Sequence, residues 1–299
     1  MIISASRRTD IPAFYSEWFL ERVRAGGVRT VNPFNARQSY WISLEPEQVD
    51  VIVFWTRNPR PLLPYLKELD TRGYRYYFLM TLTGYPAQLE PKAQTVSAQV
   101  DGFRELAERV GANKVVWRYD PIVISNLTPW EWHEWNFSQL AAQLNSACHQ
   151  VVVSLVDEYR KASFNRLASE QLDVWRKTTP MPLAGRRMFE NMATVAADVG
   201  IKVYSCAETL DLTSWGILPG SCIDAAYINR TFGLEVSGRK DPGQRNSCGC
   251  VCSKDIGSYD TCPHGCIYCY AGRLATAERN YLRHCRDSET LLSRGEERR

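Results

Sequence analysis

The sequence predicts an α/β protein whose strands form a full or partial (β/α) barrel, with a cysteine-rich C-terminal region packed on it. Three observations lead there. Short apolar, β-branched runs alternate with longer segments of helical spacing over the first 205 residues. Several runs, such as Val51-Ile52-Val53-Phe54-Trp55 and Val151-Val152-Val153-Ser154-Leu155, are apolar without alternation. Strands covered on both faces of a parallel sheet have that pattern. Polar residues gather immediately after the runs, where the βα loops of a barrel carry chemistry. A doubly wound open sheet is the alternative arrangement of the same units.

In order, the strand runs are Ile2–Ser6, Arg29–Val31, Val51–Trp55, Tyr76–Thr81, Lys114–Trp117, Val151–Leu155 and Lys202–Ser205. Helical spacing marks Tyr15–Ala25, Arg60–Arg72, Ala93–Val110, Trp130–Ala147, Phe164–Thr178 and Gly185–Val199. Such alternation implies right-handed βαβ units. From Cys206 the pattern gives way to Gly216, Pro219, Gly220, Gly233, Gly238, Pro242 and Gly243. Residues 1–205 therefore read as barrel units, and 206–299 as the cysteine-rich region. Helices are expected there at Ile223–Phe232 and Ala271–Leu292.

Composition excludes some classes. The net charge of +3, from 36 basic and 33 acidic side chains, is too small to argue for nucleic acid by itself. No apolar run approaches the roughly 20 residues of a membrane span. The start, MIISASRRTDIP, lacks a basic region followed by an apolar stretch. The expectation is a cytoplasmic protein without a membrane partner. In that reducing compartment clustered cysteines favour metal over disulfides.

Seven of the ten cysteines fall between residues 222 and 269. Thiolates this close repel one another unless a cation or a cluster takes up their charge. Cys262, Cys266 and Cys269 are spaced C-x3-C-x2-C on a tight loop, with Gly265 easing the turn. Structural zinc takes four ligands, whereas three thiolates on a cubane iron–sulfur cluster leave one iron open. Cys206, Cys222, Cys248, Cys250 and Cys252 are candidates for a second site, either a cluster or a zinc ion. The bland alternative makes Cys206 and Cys222 buried apolar thiols.

The C-x3-C-x2-C spacing, with Tyr268 before its last cysteine, resembles the radical S-adenosylmethionine signature. The resemblance implies that Cys262, Cys266 and Cys269 hold a [4Fe–4S] cluster. Its open iron would chelate the amino and carboxylate groups of S-adenosylmethionine. Reductive cleavage of the sulfonium would then give a 5′-deoxyadenosyl radical. It also implies a full or partial β/α barrel, with Tyr268 among the cofactor-binding residues. In that superfamily the motif usually follows the first strand, whereas here it lies near the C-terminus. A circular permutation accounts for this: 262–292 replaces the first β/α unit and Ile2–Ser6 becomes the next strand. No Gly-Gly-Glu segment is present to grip the methionyl amine. Asp10 is the substitute candidate for the amine, and Arg7 or Arg8 for the carboxylate.

The chain also resembles the family called domain of unknown function 1848. The matching stretches are Ile3–Pro12, Phe54-Trp55-Thr56-Arg57-Asn58-Pro59, Trp117–Ile122 and Gln244–Ala271. This implies a C-terminal cysteine cluster like that of radical enzymes, with no established substrate. Cys248–Cys250 lies in a matching stretch, and Cys206 and Cys222 bracket the loop after the seventh run. Those four are therefore the preferred second site, with Cys252 the spare.

Among the rim residues, Arg118 is a candidate for the cofactor's carboxylate or ribose, against a plain salt bridge with Asp120 or Asp157. Asp157 and Glu208 are candidate catalytic acids, against helix or loop caps. His264, inside the cysteine loop, is expected to face solvent. The expected function is a radical S-adenosylmethionine-type enzyme served by an external electron donor. Its substrate could be a small molecule, a peptide or a nucleotide. The competing class is a non-catalytic zinc or iron–sulfur protein, for electron transfer or association with nucleic acid.

Overall fold

The computed structural model describes residues 1–33, 35–156, 172–176 and 181–292. The strands are β1 (Ile2–Ala5), β2 (Gly27–Asn32), β3 (Asn35–Ser43), β4 (Val51–Thr56), β5 (Tyr76–Thr81), β6 (Val115–Ile122), β7 (Gln150–Leu155), β8 (Lys202–Cys206), β9 (Leu218–Gly220) and β10 (Lys254–Asp255). The helices are α1 (Ile11–Phe14), α2 (Ser16–Arg24), α3 (Leu66–Thr71), α4 (Val96–Val110), α5 (Trp130–Gln143), α6 (Leu183–Asp198), α7 (Ala225–Phe232) and α8 (Leu274–Leu282).

Eight strands form one sheet in the order β10-β1-β4-β5-β6-β7-β8-β9. The registers at β10/β1, β1/β4, β6/β7, β7/β8 and β8/β9 are all parallel. This is the parallel α/β sheet that the alternation predicts; closure into a barrel is not seen among the described residues. Every residue of β4 and β5 is buried, as strands covered on both faces require. Helix ends follow capping chemistry. Thr95 accepts the Ala98 amide at the start of α4, and Gly111 ends that helix at φ 90°. Asp224 accepts the Tyr227 amide at 2.7 Å to start α7.

The chain divides into two compact units. One comprises 1–78, 253–265 and 271–299; the other comprises 79–252 and 266–270. The boundary expected at residue 205 falls inside the second unit. In the first, Phe54 stacks on Phe78 with centroids 5.0 Å apart, and Phe19 meets Phe54 edge-on. In the second, Trp117 stacks on Phe137 at 4.8 Å, and α5 packs against α6.

Several expectations are corrected. Arg29–Val31 is not a strand of the parallel sheet. It lies in β2, which among the described residues pairs with β3 as a separate antiparallel ribbon. The fifth run extends to Ile122, so Arg118-Tyr119-Asp120-Pro121 belongs to β6 rather than to a rim loop. The helix expected at 60–72 is reduced to a 3-10 turn and the six residues of α3, after Pro59, Pro61 and Pro64. The last helix stops at Leu282, and the His284 ring meets the Leu291 carbonyl at 3.0 Å. Of the helix expected over Phe164–Thr178, only 172–176 are described, and Val174 there forms an antiparallel bridge with Ser125. No described helix is long and apolar enough to cross a membrane.

Candidate functional site

Four cysteines converge in the second unit. Cys206 ends β8, and the β8/β9 register sets it level with Gly220. That carries Cys222, two residues further on, alongside. The Sγ atoms of Cys222 and Cys206 are 3.3 Å apart. Those of Cys206, Cys248 and Cys250 all lie within 4.8 Å of one another. All four side chains are buried. The Ile223 amide donates to the Cys250 sulfur at 3.4 Å. Cys252 stands outside the group, its half-buried thiol donating to the Lys240 carbonyl at 3.4 Å.

Crowding shapes the acidity of these thiols. Contacts with Cys222, Cys248 and Cys250, reinforced by burial, hold Cys206 well above the ordinary thiol range. Cys222 is pulled down by Cys206, but Cys250 and burial outweigh that and push it up to about 12. Several thiolates cannot share so dry a space without a cation. Three buried soft sulfur donors, Cys206, Cys248 and Cys250, lie close enough to hold a metal ion. Cys222 stands beside Cys206 as a fourth.

The C-x3-C-x2-C loop is anchored separately in each unit. In the first, β10 runs parallel beside β1, and Asp255 at its end is a hub. Its carboxylate accepts the hydroxyls of Ser4 (3.0 Å) and Ser6 (2.7 Å) and the amides of Arg7 (2.9 Å) and Gly257 (3.0 Å). A Cβ at Gly257 would come within 2.0 Å of Ser6 Oγ, so only glycine allows this approach. Thr9 and Thr261 both donate to the Ser258 carbonyl, at 2.9 and 2.7 Å. The Tyr15 hydroxyl donates to the Thr261 carbonyl at 2.7 Å. Burial, and then the negative charge that Cys262 would carry, raise the Tyr15 phenol above its ordinary value.

The Asp10 carboxylate accepts the Ala13 amide (3.0 Å) and the Arg57 amide (2.8 Å), and it pairs with His264 Nε2 at 2.7 Å. Asp10, expected at a methionyl amine, thus holds the histidine of the cysteine loop. Arg7 donates to Ser253 Oγ at 3.1 Å and lies over Trp55. Arg8 reaches the Gly257 carbonyl at 3.4 Å and lies over Tyr259. Both arginines are therefore bound to the segment that precedes Cys262.

In the second unit the Cys269 amide donates to the Cys266 carbonyl at 3.0 Å, and Ile267 donates to the Leu89 carbonyl at 3.1 Å. Tyr268 is buried among Tyr85, Leu89, Val123, Val156 and Leu172, with Cys266 and Ile267 packed against the cluster. Its hydroxyl donates to the buried carboxylate of Glu90, which also accepts Thr83 Oγ1 at 2.7 Å. Cys262, Cys266 and Cys269 are each half-buried.

A family model described as "Domain of unknown function (DUF1848)" matches residues 2–271. The chain belongs to the DUF1848 family. No curated protein and no solved structure matches it.

The remaining candidates in this DUF1848 protein have local partners. Arg118 donates to Thr81 Oγ1 at 3.2 Å and is ion-paired with Asp120, which also accepts the Ser154 hydroxyl. Glu208 accepts the amides of Leu155 (3.2 Å), Thr209 (2.9 Å) and Leu210 (3.4 Å), as a loop cap does. Asp157 lies outside the described residues. The sequence does not mark Asp255 or Glu90 as site residues. His264, expected at the solvent, is held by Asp10 instead, and its place inside the cysteine motif is the one signal that could have found it.

Proposed function

We propose that this DUF1848 chain is a radical S-adenosylmethionine-type enzyme on a permuted, partial β/α barrel. The observation that carries the reading is the parallel pairing of β10 with β1. It sets β10, the strand that leads into the cysteine loop, beside the first N-terminal strand. A motif normally found after the first strand would then keep that relation to the sheet despite its late position in the chain.

Cys262, Cys266 and Cys269 would hold a [4Fe–4S] cluster. The donor set fits by its chemistry, since three soft, half-buried thiols follow one another within eight residues of sequence. When bound, such a cluster supplies an electron and an open coordination position for the amino and carboxylate groups of S-adenosylmethionine.

The protein's own residues orient and shield. Asp255 fastens the approach to Cys262 onto the loop after β1. Asp10 fixes His264 between two cysteines of the motif. Tyr268 plugs the apolar cluster beneath Cys266 and excludes water from that side. Arg7 and Arg8 bring positive charge to the same loop, suited to a carboxylate partner. The electron comes from an external donor, and the substrate is a small molecule, a peptide or a nucleotide.

Anaerobic reconstitution tests the reading. Iron and sulfide should be bound in a ratio near one, and adding S-adenosylmethionine should change the electron paramagnetic resonance signal of the reduced cluster. Bound iron with no response to S-adenosylmethionine would favour the electron-transfer reading. A zinc-only, colourless protein would favour a structural metal-binding module.

A further inference from the structure

We infer that Cys206, Cys222, Cys248 and Cys250 form a closed tetrathiolate centre for a single Zn2+ ion, distinct from the C-x3-C-x2-C motif. The distances between donors decide against a second iron–sulfur cubane. Four sulfurs around one tetrahedral ion, with Zn–S near 2.3 Å, lie about 3.8 Å from one another. Here Cys206 and Cys222 are 3.3 Å apart, and Cys206, Cys248 and Cys250 lie mutually within 4.8 Å. In a cubane each thiolate binds its own iron at a separate corner, so the body of the cluster spreads the donors further apart. Three sulfurs mutually this close, with Cys222 beside Cys206 as the fourth donor, suit one ion rather than a cubane.

Ligand number and burial set the kind of site. Catalytic zinc keeps an open position, whereas structural zinc is closed by four protein ligands. All four thiols are buried, with relative exposures of 8% for Cys206, 6% for Cys222, 6% for Cys248 and 2% for Cys250. The Ile223 amide donates to the Cys250 sulfur at 3.4 Å. Amide donors of that kind orient and stabilise metal-bound thiolates.

The site lies where regular secondary structure is short. Between the end of β8 and β10, the regular elements among the described residues are the three residues of β9, the eight of α7 and one 3-10 turn. The four ligands tie the end of β8, the segment after β9 and the 248–250 loop to one point. Hydrogen bonds meet at the same junction: Ser247 Oγ to the Ala207 carbonyl at 3.1 Å, and Val251 N–H to the Ile223 carbonyl at 3.0 Å. Zinc bound here would contribute folding free energy to this segment directly.

The inference does not rest on the radical reading, since it concerns four other thiols, and the test separates the two. The C262A/C266A/C269A variant of the full chain is purified, and its zinc, iron and sulfide are counted. One zinc per chain with neither iron nor sulfide is expected. X-ray absorption at the zinc edge of the wild-type chain should show four sulfurs at about 2.3 Å. Replacing zinc with Co2+ should give the intense visible absorption of tetrahedral cobalt thiolates, lost in C206S/C250S. Iron and sulfide retained by the triple variant, a triple variant and wild type that both lack zinc, or a zinc edge with nitrogen or oxygen ligands would each overturn the inference.

Discussion

The Nε2 atom of His264 lies 2.7 Å from the Asp10 carboxylate, 254 residues earlier in the chain. Asp10 also caps α1 through the Ala13 amide and receives the Arg57 amide. Removing the carboxylate leaves three donors without their acceptor in a largely buried place. Asp10→Ala is expected to cost roughly 3 kcal/mol, and His264→Ala about 1 kcal/mol. Urea denaturation of both variants checks the order. Equal losses would mean that the two amide contacts contribute little.

Gly257→Ala tests the joint between β1 and β10. The new methyl would lie 2.0 Å from Ser6 Oγ and 2.6 Å from Ser6 Cβ. Overpacking of this kind costs about 1–3 kcal/mol. Adding Ser6→Gly should recover part of the loss, because it removes both clashing atoms. Thermal melts of the single and double variants measure the recovery, and none is expected if the damage lies elsewhere.

Tyr268→Phe keeps the ring in its apolar cluster and removes only the hydroxyl that serves Glu90. A buried carboxylate then loses one of its donors, which costs roughly 2 kcal/mol. Stability should fall in denaturant titrations, and Tyr268→Phe/Glu90→Gln should lose less than the sum of the two single variants.

His133 gives a pH dependence with a definite sign. Its Nε2 lies 3.0 Å from the Val123 carbonyl, which can only accept, so Nε2 carries the proton and Nδ1 accepts from the Tyr119 hydroxyl at 2.8 Å. Burial pushes its pKa from 6.5 down to about 4. Between those values the unfolded chain binds a proton that the folded chain refuses. Stability should therefore fall as the pH drops from about 6.5 towards 4, by roughly 3 kcal/mol over the whole window. In His133→Asn that component of the slope should vanish, as equilibrium unfolding at pH 6.5, 5.5 and 4.5 would show.

The sheet is legible in the sequence where hydrophobic burial alone specifies a strand. Val51–Trp55, Tyr76–Thr81 and Val151–Leu155 are apolar throughout because both of their faces are covered. The ribbon is half legible: Arg29–Val31 reads as a strand, but β3 does not, since 35–41 is mostly exposed and carries no apolar period. Nor are β9 and β10, which have three and two residues and rely on neighbouring strands for their shape. The cysteines signal their site through their crowding along the chain, because thiolates that close need a cation between them. Asp10 stands out by its charge, but its pairing with His264 depends on β10 lying beside β1, and spacing along the chain carries no sign of that. Glu90 sits in an unremarkable Leu-Glu-Pro stretch, and only the packing of Tyr268 reveals that it is buried.

The most direct measurement of the central claim is the nucleoside product. The iron-loaded protein, reduced anaerobically in the presence of S-adenosylmethionine, should release 5′-deoxyadenosine, and Cys269→Ala prepared identically should release none. A fully iron-loaded, reducible wild-type protein that yields no 5′-deoxyadenosine would contradict the radical enzyme reading.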